Sequence, residues 1–315
     1  MSALLVTGAN GFVGSAVCRH ALAAGRPVRG AVRTPGSNDA HAVTVGDLDG
    51  RTDWTEALRG CRAVVHAAAR VHVMNESSAD PLSEFRRVNV EGTLNLARQA
   101  AAAGVQRFVF VSSIKVNGEG TGARRAYTAS DAPAPQDAYG VSKAEAEQGL
   151  RRIASDTGLE MVVVRPPLVH GPGVKANFRS LMLAVARGWP LPLGSVTGNR
   201  RSLVGLDNLA DLLLTCVEHQ AAAGQTFLIS DGEDLSTADL LRRMGQALNR
   251  PARLLPCPPS LLQMAATVVG KASIAQRLLG NLQVDIAHTR VTLGWTPPVG
   301  VDEGLRRAGA GLDLR

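Results

Sequence analysis

Short apolar runs alternate with longer helical stretches from the start of the chain to residue 170. Ala3-Leu4-Leu5-Val6 is apolar at every position, the pattern of a strand covered on both faces. Residues 27–33 read as a second strand, 45–48 as the end of a third, 63–66 as the fourth and 107–113 as the fifth. Between the first two, residues 12–24 predict a helix that Gly25 stops. Strands separated by helices imply parallel pairing, since each crossover needs a connecting segment of helical length. The predicted class is α/β with a doubly wound parallel sheet. Past residue 170 the pattern is less regular. Proline-rich breaks interrupt it at 190–192 and 256–259, residues 207–219 predict a helix, and 225–230 predict a strand. At 315 residues, two closely joined lobes fit the length.

Three glycines follow the first strand at three-residue spacing: Gly8, Gly11 and Gly14. Gly8 permits a tight turn, Gly11 lets the backbone approach a pyrophosphate, and Gly14 lets the new helix pack closely on the sheet. Phe12 and Val13 open the helix, whose free N–H groups and positive dipole end suit phosphate oxygens. A dinucleotide site is expected here. At the end of the second strand an acid would favour NAD by accepting from the ribose 2′-hydroxyl. The count falls on Val32, with no acid near in sequence, and Arg33 follows. A guanidinium there suits a 2′-phosphate, so NADP(H) is favoured and NAD(H) remains open. Asp47 and Leu48 are expected at the adenine, and the small residues Ala67, Ala68 and Ala69 where the chain passes the cofactor.

The reacting groups come from the fifth strand and the helix expected from Ala138. The strand ends in Ser112 and Ser113; the helix carries Tyr139 and Lys143, four apart and so on one face. A phenol titrates near 10. A neighbouring ammonium favours the phenolate and lowers that value towards neutrality. Tyr139 is then suited to take or give a hydroxyl proton as hydride moves to or from a nicotinamide. Lys143 is expected to hold the nicotinamide ribose as well, and Ser113 to position the reacting oxygen.

The glycine loop, Asp47-Leu48, Ser113, Tyr139 and Lys143 together resemble the extended short-chain dehydrogenase/reductases, the NAD-dependent epimerase/dehydratase family. Asn89-Val-Glu-Gly-Thr93, the stretches 165–173 and 201–211, and Leu293-Gly-Trp-Thr-Pro297 extend the resemblance over most of the chain. It implies a Rossmann domain at 1–170 and a smaller, mainly substrate-binding lobe at 171–315, with elements near 200–232 returning to the first domain. Pro166 falls on the cofactor side. The resemblance also implies a nucleotide-sugar substrate, with Asn177 and Arg201 on a UDP diphosphate and Arg290 and Lys115 as further candidates. Where the family's dehydratases carry Thr-Asp-Glu, this chain has Ser113-Ile114-Lys115, which removes both acids. Redox at C4 of a UDP-sugar remains. The favoured form is reduction of a UDP-4-keto-(6-deoxy)-N-acetylhexosamine in surface-polysaccharide biosynthesis. A UDP-glucose or UDP-N-acetylglucosamine 4-epimerase is the alternative. A reductase of a hydrophobic ketone and a non-catalytic cofactor sensor rank lower. Relatives are often homodimers through the helices that include the one bearing Tyr139.

Composition narrows the rest. Four cysteines lie far apart with no Cys-x-x-Cys, so neither a metal site nor a disulfide framework is expected, and the chain reads as cytoplasmic. Residues 261–270 are apolar but too few to span a bilayer, which leaves a hydrophobic helix under the substrate site, or at a membrane surface or a second subunit. The net charge of +7 invites a nucleic-acid partner, but dispersed arginines and 3% aromatics argue against one.

Overall fold

The computed structural model describes residues 3–34, 41–71, 80–122 and 125–312. Ten strands form two sheets: β1 Ala3–Thr7, β2 Val28–Val32, β3 Ala42–Thr44, β4 Cys61–His66, β5 Arg107–Val111, β6 Glu160–Arg165, β7 Leu168–His170, β8 Arg201–Gly205, β9 Thr226–Leu228 and β10 Asp234–Leu235. Seven of them make one parallel sheet in the order β3-β2-β1-β4-β5-β6-β9. The order reverses at β1, and the crevice at such a switch point is where open α/β sheets bind ligands.

Helices cover both faces, so the central strands are buried apart from Ala3 and Arg62 near their starts. On one face, helix Phe12–Ala23 packs against helix Leu206–Glu218, whose Leu206, Leu209 and Leu213 recur at helical spacing. Each fully buried leucine contributes roughly 1.5–3 kcal/mol of transfer free energy. On the other face, helices Thr93–Ala102 and Ala138–Thr157 bury Leu96, Ala97, Ala100, Ala146 and Leu150 with Phe108 and Phe110. Gly149 allows that pair to approach: a Cβ there would lie 2.6 Å from Leu94.

The remaining strands form a small sheet, β10-β8-β7, in which β7 runs parallel and β10 antiparallel to β8. Helices Ala176–Ala186, Thr237–Ala247 and Val301–Ala310 close a second core around Phe178, Met182, Leu241, Met244 and Leu305. The two parts are threaded together, because β9 returns to the large sheet after β8 has joined the small one. A buried polar cluster ties the junction. Asp231 accepts from Gly205 N and Asn208 Nδ2, both at 2.7 Å, and pairs with His170 Nε2 at 2.9 Å.

Candidate active site

The glycine loop is built as a cradle. Gly8 sits at φ +64°, a left-handed conformation that favours glycine, and a Cβ there would meet Ala68 backbone at 3.0 Å. Thr7 Oγ1 fixes that neighbour by accepting from Ala68 N at 3.1 Å. A Cβ at Gly14 would lie 2.1 Å from Gly8 O, so no side chain fits there. Gly11 N closes the turn on Gly8 O at 2.8 Å. The helix that follows has no side-chain cap and no acid in its first turn. The N–H groups at Phe12 and Val13 are therefore left for an outside acceptor, and these residues fit a dinucleotide pyrophosphate. Leu48, expected at the adenine, packs against Gly92, where a Cβ would come within 2.8 Å of Leu48 Cγ. Arg33 ends β2 in exposed position, and its Nη1 lies 3.9 Å from Asp47 Oδ1. In sequence no acid stands near the end of the second strand; in the fold the loop after β3 brings Asp47 there. Both groups are exposed, so the pair holds neither firmly.

His66, at the end of β4, is fully buried between Thr7 Oγ1 (2.7 Å) and Thr93 Oγ1 (2.9 Å) and stacks on Phe110. Burial, with the charge of Lys143 second, pushes its pKa down to about 3, so it stays neutral and joins the glycine loop to helix Thr93–Ala102. Before that helix, residues Arg86–Gly92 wind as a wider π-helical stretch, a feature common at functional sites. Asn89 lies on it, clasping Arg70 through both backbone groups and donating to Ser142 Oγ at 3.0 Å.

Helix Ala138–Thr157 starts on an Asp137 cap, whose Oδ1 accepts from Gly140 N at 2.7 Å. Gly140 also lets the helix reach the turn after β5, since a Cβ there would lie 2.8 Å from Lys115 O. That approach sets the first turn of the helix, with Tyr139, against the turn that Ser113 begins. Ser113 caps the short turn Ile114–Val116, accepting from Lys115 N at 3.2 Å. Tyr139 is half-buried, edge-on to Phe85. Lys143 is buried; its Nζ donates to Val111 O at 2.8 Å and lies 4.4 Å from the Phe110 ring centroid.

The electrostatics differ from expectation in one respect. Burial pushes the Lys143 ammonium down to about 7, with Glu147 acting in the opposite direction. The Tyr139 phenol moves up, not down, first through burial and then through the Asp137 carboxylate. Desolvation of the phenolate outweighs the lysine four residues on, which spacing alone brings to mind. In this state the phenol is a proton donor.

Lys115 is committed locally: its Nζ contacts Glu119 Oε1 at 2.8 Å and also pairs with Asp137. Arg201 opens β8 and donates to Gly280 O at 3.1 Å. Its pKa is lowered by burial and then by Arg277, while Glu119 opposes the shift, so Arg201, Arg277, Glu119 and Lys115 share one region. Asn177 is exposed in the first turn of its helix, after Ala176 at φ +53°. Arg290 lies elsewhere, exposed against Gly232, whose Cβ would be 3.0 Å from Nη2. Its helix, Ala287–Leu293, packs at the end of β9, where Thr289 Oγ1 donates to Leu228 O at 2.6 Å. Pro166 turns the chain back to the site, its carbonyl accepting from Ile114 N at 3.0 Å. Ile114 itself is buried with Leu228, Leu282, Val284 and Ile286. Among the described residues no cluster could hold a metal ion and no helix is long and apolar enough to cross a membrane.

One group went unassigned in the sequence. Glu147, one turn beyond Lys143, is buried and accepts from Ser112 Oγ at 2.6 Å and from Arg165 Nε and Nη2 at 2.9 and 2.6 Å. Arg165 Nη1 donates to Asn117 Oδ1 at 3.0 Å. This buried ion pair fastens the helix carrying Tyr139 and Lys143 to the ends of β5 and β6. The recurrence Tyr139, Lys143, Glu147 at four-residue spacing was the signal for it.

Residues 4–230 match the sequence profile of the NAD dependent epimerase/dehydratase family. The chain is 48% identical over 306 residues to a UDP-glucose 4-epimerase of Vibrio cholerae, covering 96% of this chain and 93% of the relative. It is 33% identical over 258 residues to a dihydroflavonol 4-reductase of Hordeum vulgare, covering 70% and 69%. Among solved structures, a UDP-N-acetylglucosamine 4-epimerase from Bacillus cereus superposes with a TM-score of 0.81 at 19% identity, covering 98% of this chain and 99% of the other. MoeE5 in complex with UDP-glucose and NAD gives 0.77 at 26%, covering 98% and 97%. The chain belongs to the NAD-dependent epimerase/dehydratase family, as a nicotinamide-dependent enzyme of the extended short-chain dehydrogenase/reductase type.

Proposed function

We propose that this enzyme carries out redox chemistry at C4 of a UDP-sugar, with 4-epimerisation as its leading form. The observation that carries the proposal is the close contact of Gly140 with the Lys115 carbonyl, which sets the start of the helix bearing Tyr139 and Lys143 against the turn that begins at Ser113. The UDP-glucose 4-epimerase relative at 48% identity supports the choice of substrate class. When bound, the dinucleotide supplies the hydride acceptor and, in its oxidised form, a positive charge. Ser113 Oγ holds the oxygen on C4. Tyr139, as phenolate beside that positive charge, takes the hydroxyl proton as hydride leaves C4, and the phenol so formed returns it to the carbonyl oxygen of the 4-keto sugar when hydride comes back. Lys143 binds the nicotinamide ribose and sets the charge beside the phenol. Arg201, with Arg277 beside it, pairs with the diphosphate. Asn177 adds an amide donor from its helix start, and Gly8, Gly11, Phe12, Val13 and Gly14 hold the dinucleotide.

A second reading, one-way reduction of a UDP-4-keto sugar with NADPH, rests on two observations. Arg33 is exposed at the end of β2, and the Tyr139 phenol is held in its proton-donating form. Nucleotides released from the freshly purified, denatured protein separate the two. Stoichiometric NAD(H), with UDP-glucose converted without added cofactor, supports epimerisation. An empty site that binds NADPH more tightly than NADH supports reduction. Failure of both UDP-sugar conversion and nicotinamide binding would refute the proposal. Pairing of two copies through the helices around Thr93–Ala102 and Ala138–Thr157 belongs to the same reading, and sedimentation equilibrium tests it.

A further inference from the structure

From Pro256 to Gly270 the chain carries no charged residue. The helix within it, Pro259–Val268, has no buried residue. Only Leu262 and Ala266, one turn apart, are turned partly inward, Leu262 against the second core. Leu261, Met264 and Val268 recur at helical spacing on the outward face and are 50%, 61% and 83% exposed; Val269 extends the strip. Surface helices ordinarily present charge on that side. The strip continues past the helix. Leu191 pairs with Leu254, which sets Trp189 and Leu255, both about half exposed, on the segments leading into it.

The segments that carry this strip are basic in sequence, with Arg165, Arg242 and Arg243 spent on Glu147, Asp239 and Glu233. Residues 161–206 contain six lysines and arginines and no acid, and residues 240–284 repeat that count. Those stretches hold twelve positive charges while the whole chain nets +7, so the remainder is net negative. Arg187, Arg250, Arg253 and Lys271 lie exposed along the rim. The Arg187 guanidinium sits 5.6 Å from the Trp189 ring, Arg253 donates to Gly188 O at 3.5 Å, and Arg250 flanks Gly188 at 3.3 Å from its built Cβ. Lys271 closes the apolar segment.

We propose that this face docks on an anionic lipid surface. The helix lies in the plane of the interface with Leu261, Met264, Val268 and Val269 among the acyl chains, Trp189 at headgroup depth, and the four basic side chains on lipid phosphates. A second copy of this chain is a poorer occupant. A two-fold contact would set the same basic rim against itself, while anionic headgroups neutralise it.

The test is flotation of the full-length protein with vesicles of phosphatidylcholine alone and of phosphatidylcholine mixed with phosphatidylglycerol. The expected result is flotation with the mixed vesicles only, lost when salt reaches about 0.5 M. A triple variant, Leu261→Glu, Met264→Glu and Val268→Glu, is expected to partition at least about tenfold less while keeping its melting temperature and sedimentation mass. A second set that leaves the apolar strip intact, Arg187→Gln, Arg253→Gln and Lys271→Gln, is expected to lose about fivefold per residue removed. Absence of flotation in the wild type, or equal flotation with neutral vesicles, would overturn the proposal. So would a triple variant that drops to half the wild-type mass, since a second copy would then be what covers the strip.

Discussion

Replacing Glu147 by Gln tests the role of the buried ion pair behind the catalytic helix. Arg165 is buried, and three of its donors are spent on Glu147 and Asn117. The amide keeps one acceptor oxygen but turns an NH2 group towards Ser112 or Arg165, and it leaves the guanidinium charge uncompensated. Removing one partner of a buried pair costs about 3–5 kcal/mol, and the retained hydrogen bond places this change at the lower end. At about 2–4 °C per kcal/mol, a loss of roughly 6–12 °C in Tm is expected, within the margin of a folded domain. The second effect is on catalysis. Glu147 opposes the fall of the Lys143 pKa to about 7, so its neutralisation moves that titration to lower pH. The basic limb of the kcat/KM profile that reports Lys143 should shift with it. A double variant, Glu147→Leu with Arg165→Met, separates the two effects: apolar packing restores most of the stability while the displaced limb remains. Calorimetry and a pH–rate profile on the three proteins make the comparison. A Glu147→Gln melting temperature within about 1 °C of wild type, or an unmoved basic limb, would refute this account of the pair.

Further outcomes follow from the same geometry. Tyr139→Phe should lower kcat by about 10²–10⁴-fold while leaving dinucleotide affinity near wild type by calorimetric titration. Gly14→Ala forces a methyl to 2.1 Å from Gly8 O; the loop must shift, and dinucleotide binding should fall below detection with about 1–3 kcal/mol lost in denaturant unfolding. Lys143 is protonated in the unfolded chain up to its ordinary value near 10.5 but only to about 7 when folded. Its contribution to stability is therefore fully present above pH 10.5 and lost as pH falls through 7. Between pH 7 and 9 the wild type should gain about 2 kcal/mol relative to Lys143→Met, measured by urea unfolding. Arg33→Ala should weaken NADPH by about 10–100-fold and leave NADH unchanged if the guanidinium meets a 2′-phosphate; equal effects on both would remove the argument for NADP.

What could be read from sequence was what depends on local spacing. The glycine triplet, the serine ending β5 and the Tyr139–Lys143 pair lie within single strand–turn–helix units, and there spacing fixes geometry. The small sheet was illegible for the opposite reason. Its strands are three, five and two residues long and come from positions near 170, 203 and 235, too short to show a period and joined by contacts no local pattern encodes. Charge readings were incomplete where neighbours were distant in sequence or burial intervened. Asp47 reaches Arg33 from the loop after β3, and the Tyr139 phenol responds to enclosure and to Asp137. Lys115, a candidate for substrate, spends its ammonium on Glu119 and the Asp137 cap.

The central claim is hydride transfer at C4 with Tyr139 handling the proton. UDP-glucose and UDP-N-acetylglucosamine carrying deuterium at C4, incubated with the enzyme and either NAD⁺ or NADP⁺, test it by mass spectrometry of sugar and nucleotide. The expected result is deuterium retained at C4 of the epimer or found on the nicotinamide, with neither product from Tyr139→Phe. Deuterium released to water, or unchanged turnover by that variant, would contradict the account.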